Sequence, residues 1–185
     1  MPAHAQTSTD AIVAAGRHLL EERGMDALTM RDVASAVGVR APSLYKRVRD
    51  RTDLVRLILE DAADDLTSTL DAAASSGDPV ADARAMALAF RKFAHANPIT
   101  YTLMFAPQAG APGATARSVR SSTTFLRIIA ELVGPERALP AARTIVAWAH
   151  GFITMELAGA FRLGGDVDQA WDFGLDRILT ALRCA

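Results

Sequence analysis

Apolar residues recur three and four positions apart along most of the chain, which is the spacing of one face of an α-helix. The first such stretch, about residues 8–23, carries Ile12, Leu19 and Leu20 and ends before Gly24. The pattern predicts further helices that begin at Thr29 and Pro42, span 52–74 and 80–96, end near Phe105, and span 114–133, 138–163 and 168–183. About nine helices are therefore expected, in groups of roughly three and six.

Short breaks separate these stretches and suggest the domain organisation. SSGDP at 75–79, Asn97-Pro98 and PQAGAPG at 107–113 are typical of turns and loops, and we expect the last to be flexible. We predict one domain over residues 8–52 and a second over 53–185.

The composition supports an all-α fold. The sequence holds 37 Ala and 19 Leu against 11 Val and 8 Ile, so strong helix formers far outnumber the aliphatic residues that favour strands. This balance argues against a sandwich, a barrel or a parallel sheet.

The charge and the single cysteine exclude several classes of protein. The net charge is −1, so contact with a nucleic acid needs a local basic patch. Cys184 is alone, which excludes an intrachain disulfide, and the four histidines are scattered, so we expect no metal site. No phosphate-binding loop, dinucleotide fingerprint or nucleophile elbow occurs. We therefore expect no enzyme activity and no cofactor.

The chain shows no signal for export or for a membrane. Its first ten residues lack a secretory pattern, and prolines interrupt the longest uncharged run, Phe93 to Ala116. We expect a cytoplasmic protein with no membrane partner.

A local basic patch does occur, around two short helices joined by Gly38. Thr29 can cap the first, with Asp32 in an acidic form of the capping box, and Pro42 fits the first turn of the second. A tight glycine turn between short helices is typical of a helix-turn-helix. Residues 40–56 contain six Lys or Arg and two Asp, a net charge of +4, although many helical bundles also have a charged solvated face. A basic helix of this size can enter the major groove of DNA.

Roughly residues 10–59 resemble the DNA-binding domain of the TetR family of bacterial transcriptional regulators. The resemblance rests on "ALTMRDVASAVGV", on "SLYKRV" and on "DRTDL", which together are specific. It implies DNA contacts from Thr29 and Arg31 at the start of the second helix, from Ala41, Pro42, Ser43, Lys46 and Arg47 in the major groove, and from Tyr45 and Arg51 to phosphates.

Three positions depart from the family pattern. Arg40 stands where a capping Ser or Thr is usual, which leaves open whether the helix is capped and adds a long donor. Arg51 replaces the usual Lys, and Val48 replaces a bulkier aromatic residue, a change that concerns packing.

The stretch at 145–161 is apolar on two opposite faces, so it must be covered twice. The last helix repeats the apolar seam, and two such helices from each of two chains would form a four-helix bundle. A larger single-chain core is the alternative. We predict a homodimer whose interface includes Trp148, Phe152, Met155, Trp171, Leu175, Ile178 and Leu182, with the small residues Ala147, Gly151 and Ala158 allowing close approach. The W-x-H-G sequence at 148–151 resembles the regulatory-domain class named for it.

Aromatic and sulfur-containing side chains at 80–163 could line an apolar cavity that contains a few polar groups. For each of these residues taken singly, ordinary core packing is the alternative explanation. The candidates are Met86, Phe90, Tyr101, Met104, Phe105, Phe125 and His150. We expect a small, mostly apolar effector.

Together these features predict a transcriptional regulator, most often a repressor in this family, that binds a palindromic DNA operator as a homodimer and is released by the effector. The alternative is a helical dimeric adaptor that binds protein and does not read DNA. The basic stretch at 40–56 argues against the adaptor.

Overall fold

The computed structural model describes residues 8–106 and 114–184, with side chains outside 114–122 and 184. Within these residues it is all-helical, as predicted, with nine α-helices and one 3₁₀ turn. The helices are α1 Thr9–Arg23, α2 Met30–Ala36, α3 Ala41–Leu44, α4 Arg51–Ala73, α5 Pro79–Ala96, α6 Pro98–Phe105, α7 Ala114–Val133, α8 Pro135–Leu157 and α9 Val167–Cys184. The 3₁₀ turn at Met25–Ala27 was not predicted. The predicted flexible segment at 107–113 lies outside the described residues.

The chain divides into two compact units, and α4 runs through both. Of the described residues, the first unit holds 8–64 together with 97–106, and the second holds 65–96 together with 114–184. These compact units do not test where a DNA-binding domain ends. The predicted domain limits, 8–52 and 53–185, therefore stay a prediction.

Helices α1 to α4 share one apolar core in the first unit. Ile12, Leu20, Val33, Leu44 and Ile58 are fully buried in it. Val48 is also fully buried, which agrees with the packing role expected for that position.

Glu21 of α1 attaches α6 to the first unit. Its carboxylate accepts hydrogen bonds from the backbone N–H groups of Ile99, at 3.0 Å, and Thr100, at 2.7 Å. These amides lie in the first turn of α6, where no intrahelical carbonyl can reach them. Ile99 and Leu103 then pack against the core of the unit.

The second unit is built from α5, α7, α8 and α9. Helix α8 buries a single stripe at helical spacing, Ala138, Ala142, Ile145, Ala149 and Ile153. Against it, α9 buries Trp171, Leu175 and Leu179.

The prediction of a helix over 138–163 was wrong at both ends, because α8 begins at Pro135 and ends at Leu157. Gly159, at φ 62°, reverses the chain, and its N–H donates to the Glu156 carbonyl at 2.9 Å. The N–H of Ala160 donates to the Met155 carbonyl at 2.9 Å, which completes a Schellman motif. Phe161 therefore lies beyond the helix, with its ring 4.8 Å from that of Phe152.

Candidate DNA-binding surface

The turn between α2 and α3 has the geometry of a helix-turn-helix. Gly38 adopts φ 70°, a conformation that residues with a Cβ rarely take. The N–H of Val39 donates to the Ala34 carbonyl at 2.9 Å, so the chain leaves α2 sharply. Ala34 is buried, as expected for a small residue where two short helices meet.

Helix α3 is a single turn long, and residues 45–47 continue as a turn. The N–H groups of Arg47 and Val48 donate to the Leu44 carbonyl at 2.8 and 2.9 Å, which keeps this turn compact. The segment 40–47, which we call the reading segment, is anchored by the fully buried Leu44.

Most predicted major-groove residues lie on the outside of the reading segment. Pro42, Ser43, Lys46 and Arg47 are exposed, and Ala41 is half-buried. Tyr45 keeps 54% of its surface exposed. Lys46, Arg47 and Ser43 thus present two cations and one hydroxyl, the side-chain types that pair with guanine edges and phosphates.

The start of α3 carries no side-chain cap, which answers the question that Arg40 raised at this position. Arg40 occupies the N-cap position with an extended backbone, and its side chain makes no capping hydrogen bond. Pro42 compensates in part, because a proline in the first turn leaves one fewer N–H to satisfy.

The predicted cap at Thr29 is present. Its hydroxyl oxygen accepts from the backbone N–H of Asp32 at 3.1 Å and donates to the Asp32 carboxylate. Thr29 and Arg31 are both exposed at this end of α2. Their predicted contacts with DNA stay predictions.

Arg51 has a structural task that the sequence did not reveal. Its Nε donates to the Leu28 carbonyl at 2.8 Å, and Nη2 donates to the carbonyl of Met25. These bonds tie the first residue of α4 to the segment that leads into α2. The phosphate contact implied for Arg51 must therefore compete with them.

Asp53, which sequence reasoning missed, organises the start of α4. Its buried carboxylate accepts from the backbone N–H of Arg49 at 2.9 Å and from the guanidinium groups of Arg49, at 3.3 Å, and Arg56, at 2.9 Å. These hydrogen bonds hold the Asp53 pKa well below its usual range. An Asp three residues after a capping Asp50 is the signal that could have identified it.

The predicted effector residues are divided between the two units. Tyr101, Met104 and Phe105 belong to α6 in the first unit, and the other four lie in the second. Burial raises the pKa of Tyr101 and lowers that of His150. Met86 and Tyr101 are buried, Phe90, Met104, Phe125 and His150 are half-buried, and Phe105 is exposed.

Two of the predicted interface residues must be corrected. Trp171 and Leu175 are fully buried within the single chain, so neither has surface to offer a partner. The Trp171 ring lies 4.8 Å from Trp148 and 5.3 Å from Phe152, in one aromatic cluster. Met155 is exposed, and Trp148, Phe152, Ile178 and Leu182 are half-buried.

Arg91 links three helices of the second unit, a connection not predicted from sequence. It makes two hydrogen bonds to Glu156 of α8, one of them at 2.9 Å, and an ion pair with Asp168 of α9 at 2.7 Å. Its guanidinium carbon also lies 5.1 Å from the centroid of the Trp171 ring, in a cation–π contact. Arg91 and Glu156 therefore neutralise each other inside this unit.

Within the described parts of the chain, no group of three or more His, Cys, Asp or Glu side chains could hold a metal ion. A search of the same residues finds no helix long and apolar enough to cross a membrane.

Two family models match this chain. Residues 12–58 match the bacterial regulatory proteins of the tetR family, and residues 83–178 match the tetracyclin repressor-like C-terminal domain. The second match includes the W-x-H-G sequence.

Curated relatives are regulators of the same kind. An uncharacterized HTH-type transcriptional regulator of Mycobacterium tuberculosis is 27% identical over 84% of this chain and 72% of its own length. The chain spans about half, 51%, of the length of three further mycobacterial HTH-type regulators.

Solved structures share the fold. A protein of unknown function from Rhodococcus sp. RHA1 is 27% identical, with a TM-score of 0.84 over 99% of both chains. A TetR protein of Acinetobacter baumannii AYE, in complex with minocycline, is 25% identical, with a TM-score of 0.68 over 94% of this chain and 95% of its own.

Proposed function

Because the chain belongs to the TetR family of DNA-binding transcriptional regulators, we propose that it is a repressor that binds a palindromic operator as a homodimer. A small, mostly apolar ligand releases it from the DNA. The protein works in the cytoplasm, where bacterial DNA is accessible, and residues 8–52 form its DNA-binding domain.

The reading segment is the observation that carries this proposal. Leu44 and Val48 are fully buried, and between them Lys46 and Arg47 face the solvent. A fixed backbone with outward cations suits a surface that docks in the major groove. One such segment gives little affinity, which is why paired reading of two half-sites is expected.

The open face of α8 supports the homodimer. Ala147 and Gly151 are exposed, and a Cβ built at Gly151 would meet no atom within 4 Å. Met155 keeps 49% of its surface exposed on the same helix, and Phe173 on α9 keeps 63%. Small residues flanked by exposed apolar side chains allow two helices to pack closely, so we assign this face to the partner chain.

The apolar side chains and the paired charges of the second unit support the proposed ligand. Met86 is buried and Phe90 and Phe125 are half-buried there, while the charges of Arg91 and Glu156 are paired with each other. Such surroundings favour an apolar ligand with few charges. The Acinetobacter relative was solved with a small molecule, minocycline, which is consistent with this class of function. In the proposed mechanism the ligand tilts α4, separates the two reading segments and weakens operator binding.

The decisive experiment begins by selecting duplexes from a random-sequence library with the wild-type protein. Replacing both Lys46→Ala and Arg47→Ala should abolish preferential binding to the selected duplex, because each lost base or phosphate contact weakens recognition. Both side chains are exposed, so the helical circular dichroism should not change.

A matched control replaces two exposed cations of the second unit, Lys92→Ala and Arg127→Ala, and should bind as the wild type does. Normal binding by the Lys46/Arg47 variant would contradict the role of the reading segment in DNA binding. A wild-type protein that selects no sequence at all would favour the dimeric adaptor instead.

A further inference from the structure

Three arginines surround the start of α4, and they differ in how far they are already engaged. Arg51 donates to the carbonyls of Leu28 and Met25. Its guanidinium group therefore holds the chain between α1 and α2 against the start of α4. A phosphate contact from Arg51 would have to give up at least part of this attachment.

Arg56 is engaged with two carboxylates. Its Nε and Nη2 donate to Asp53 at 3.2 and 2.9 Å, and Nη1 donates to Glu60 at 2.6 Å. These contacts use both edges of the planar group, so its charge is largely compensated within α4.

Arg49 is the contrasting case. Its side chain is 80% exposed, although it contacts a carboxylate, that of Asp53, which is only 7% exposed. The backbone N–H of Arg49 donates to Asp53 Oδ2 at 2.9 Å, whereas its guanidinium makes one long hydrogen bond of 3.3 Å to Oδ1. The residue is thus held at its backbone while most of its five N–H donors face the solvent.

Arg49 also occupies the right place along the chain. It follows the buried Val48 directly and lies two residues after the exposed Arg47. It therefore adds a further exposed cation between the reading segment and α4.

We propose that Arg49, rather than Arg51, supplies the phosphate contact at this edge of the DNA-binding surface, with Asp53 as its positioning residue. Arg51 serves to fix the segment before α2. This inference rests on the proposed DNA-binding function and assigns the roles within it. The hydrogen bonds from Arg49 and Arg56 lower the pKa of Asp53 and so favour its ionised form, which is the form that attracts the Arg49 guanidinium.

The test measures the salt dependence of binding to a short duplex of arbitrary sequence, which reports phosphate contacts without a known operator. The logarithm of the association constant falls linearly with the logarithm of the salt concentration. Each lost phosphate contact makes this fall less steep, by about 0.9 in the slope. Arg49→Gln should lower the slope by this amount for each bound chain. Arg51→Gln should leave the slope unchanged and lower the midpoint of urea unfolding, since two carbonyls lose their donor.

Arg127→Gln is the matched control, because Arg127 is also an exposed arginine in an i,i+4 ion pair, with Glu131 in α7, and it should leave the slope unchanged. A wild-type slope for Arg49→Gln would overturn the assignment, as would an equal loss for Arg51→Gln. Binding by the wild type that does not respond to salt would instead overturn the proposed function itself.

Discussion

Asp53 is the residue on which the start of α4 depends. Its carboxylate is 7% exposed and accepts hydrogen bonds from Arg49 and Arg56. Since these bonds lower its folded-state pKa, the ionised form stabilises the fold above the ordinary carboxyl range. That contribution is lost as the pH falls through this range toward the lower folded-state value.

Asp53→Asn keeps the shape of the side chain and removes its charge. We expect it to lower the free energy of unfolding at pH 7 by about 1 to 2 kcal/mol, since charge-assisted hydrogen bonds are lost and both arginines remain partly screened by solvent. Urea unfolding at several pH values measures the difference, which should shrink below about pH 4, where the Asp53 carboxylate of the unfolded chain begins to protonate while that of the folded chain stays ionised.

Asp65→Asn, at an exposed position of the same helix, provides the control and should cause little change at either pH. A constant deficit for Asp53→Asn across the whole pH range would contradict an ionised Asp53 in the fold.

Local backbone chemistry could be predicted at this scale, but long-range partners could not. Gly38, Pro42 and the missing cap at Arg40 follow from what each residue type allows its own backbone to do. The partners of Arg51 depend on the 3₁₀ turn at Met25–Ala27, whose short apolar and acidic sequence shows no helical periodicity.

At the scale of the elements, the existence of each helix followed from apolar spacing, while some ends did not. Helix α8 ends at Leu157 because Gly159 reverses the chain, yet the apolar Phe161 continues the helical spacing. The spacing of apolar residues indicates which side chains are shielded from water, but not whether each of them lies within a helix. The Phe161 ring is partly shielded by packing against Phe152 from outside the helix.

Gly174 determines how closely α9 approaches α8. A Cβ at this position would lie 2.4 Å from Trp148 Cζ2, well inside van der Waals contact. The Trp148 ring has little room to move, because it packs against Trp171 at 4.8 Å and Phe152 at 5.7 Å.

Gly174→Ala should therefore destabilise the protein by about 1 to 2 kcal/mol in urea unfolding, since overpacking outweighs the better helix propensity of alanine. Thr180→Ala, at an exposed position of α9, should change stability much less. Should Gly174→Ala prove as stable as the wild type, the close contact between α8 and α9 would be wrong.

At the scale of the whole molecule, the sequence predicted an all-α regulator, and the family matches agree. It could not separate a core from an interface. Trp171 and Leu175 have the same apolar spacing that an interface residue would have, yet they cover their own chain. Only the packed chain shows that Met155 and Phe173 remain exposed.

In the proposed function, two chains present two reading segments to one palindromic site. The most direct measurement combines the sequences of duplexes selected from a random library with the mass of the complex in sedimentation. We expect an inverted repeat, with half-sites about 34–36 Å apart or a multiple of this distance, and chains bound in pairs. An asymmetric site occupied by a single chain would contradict it.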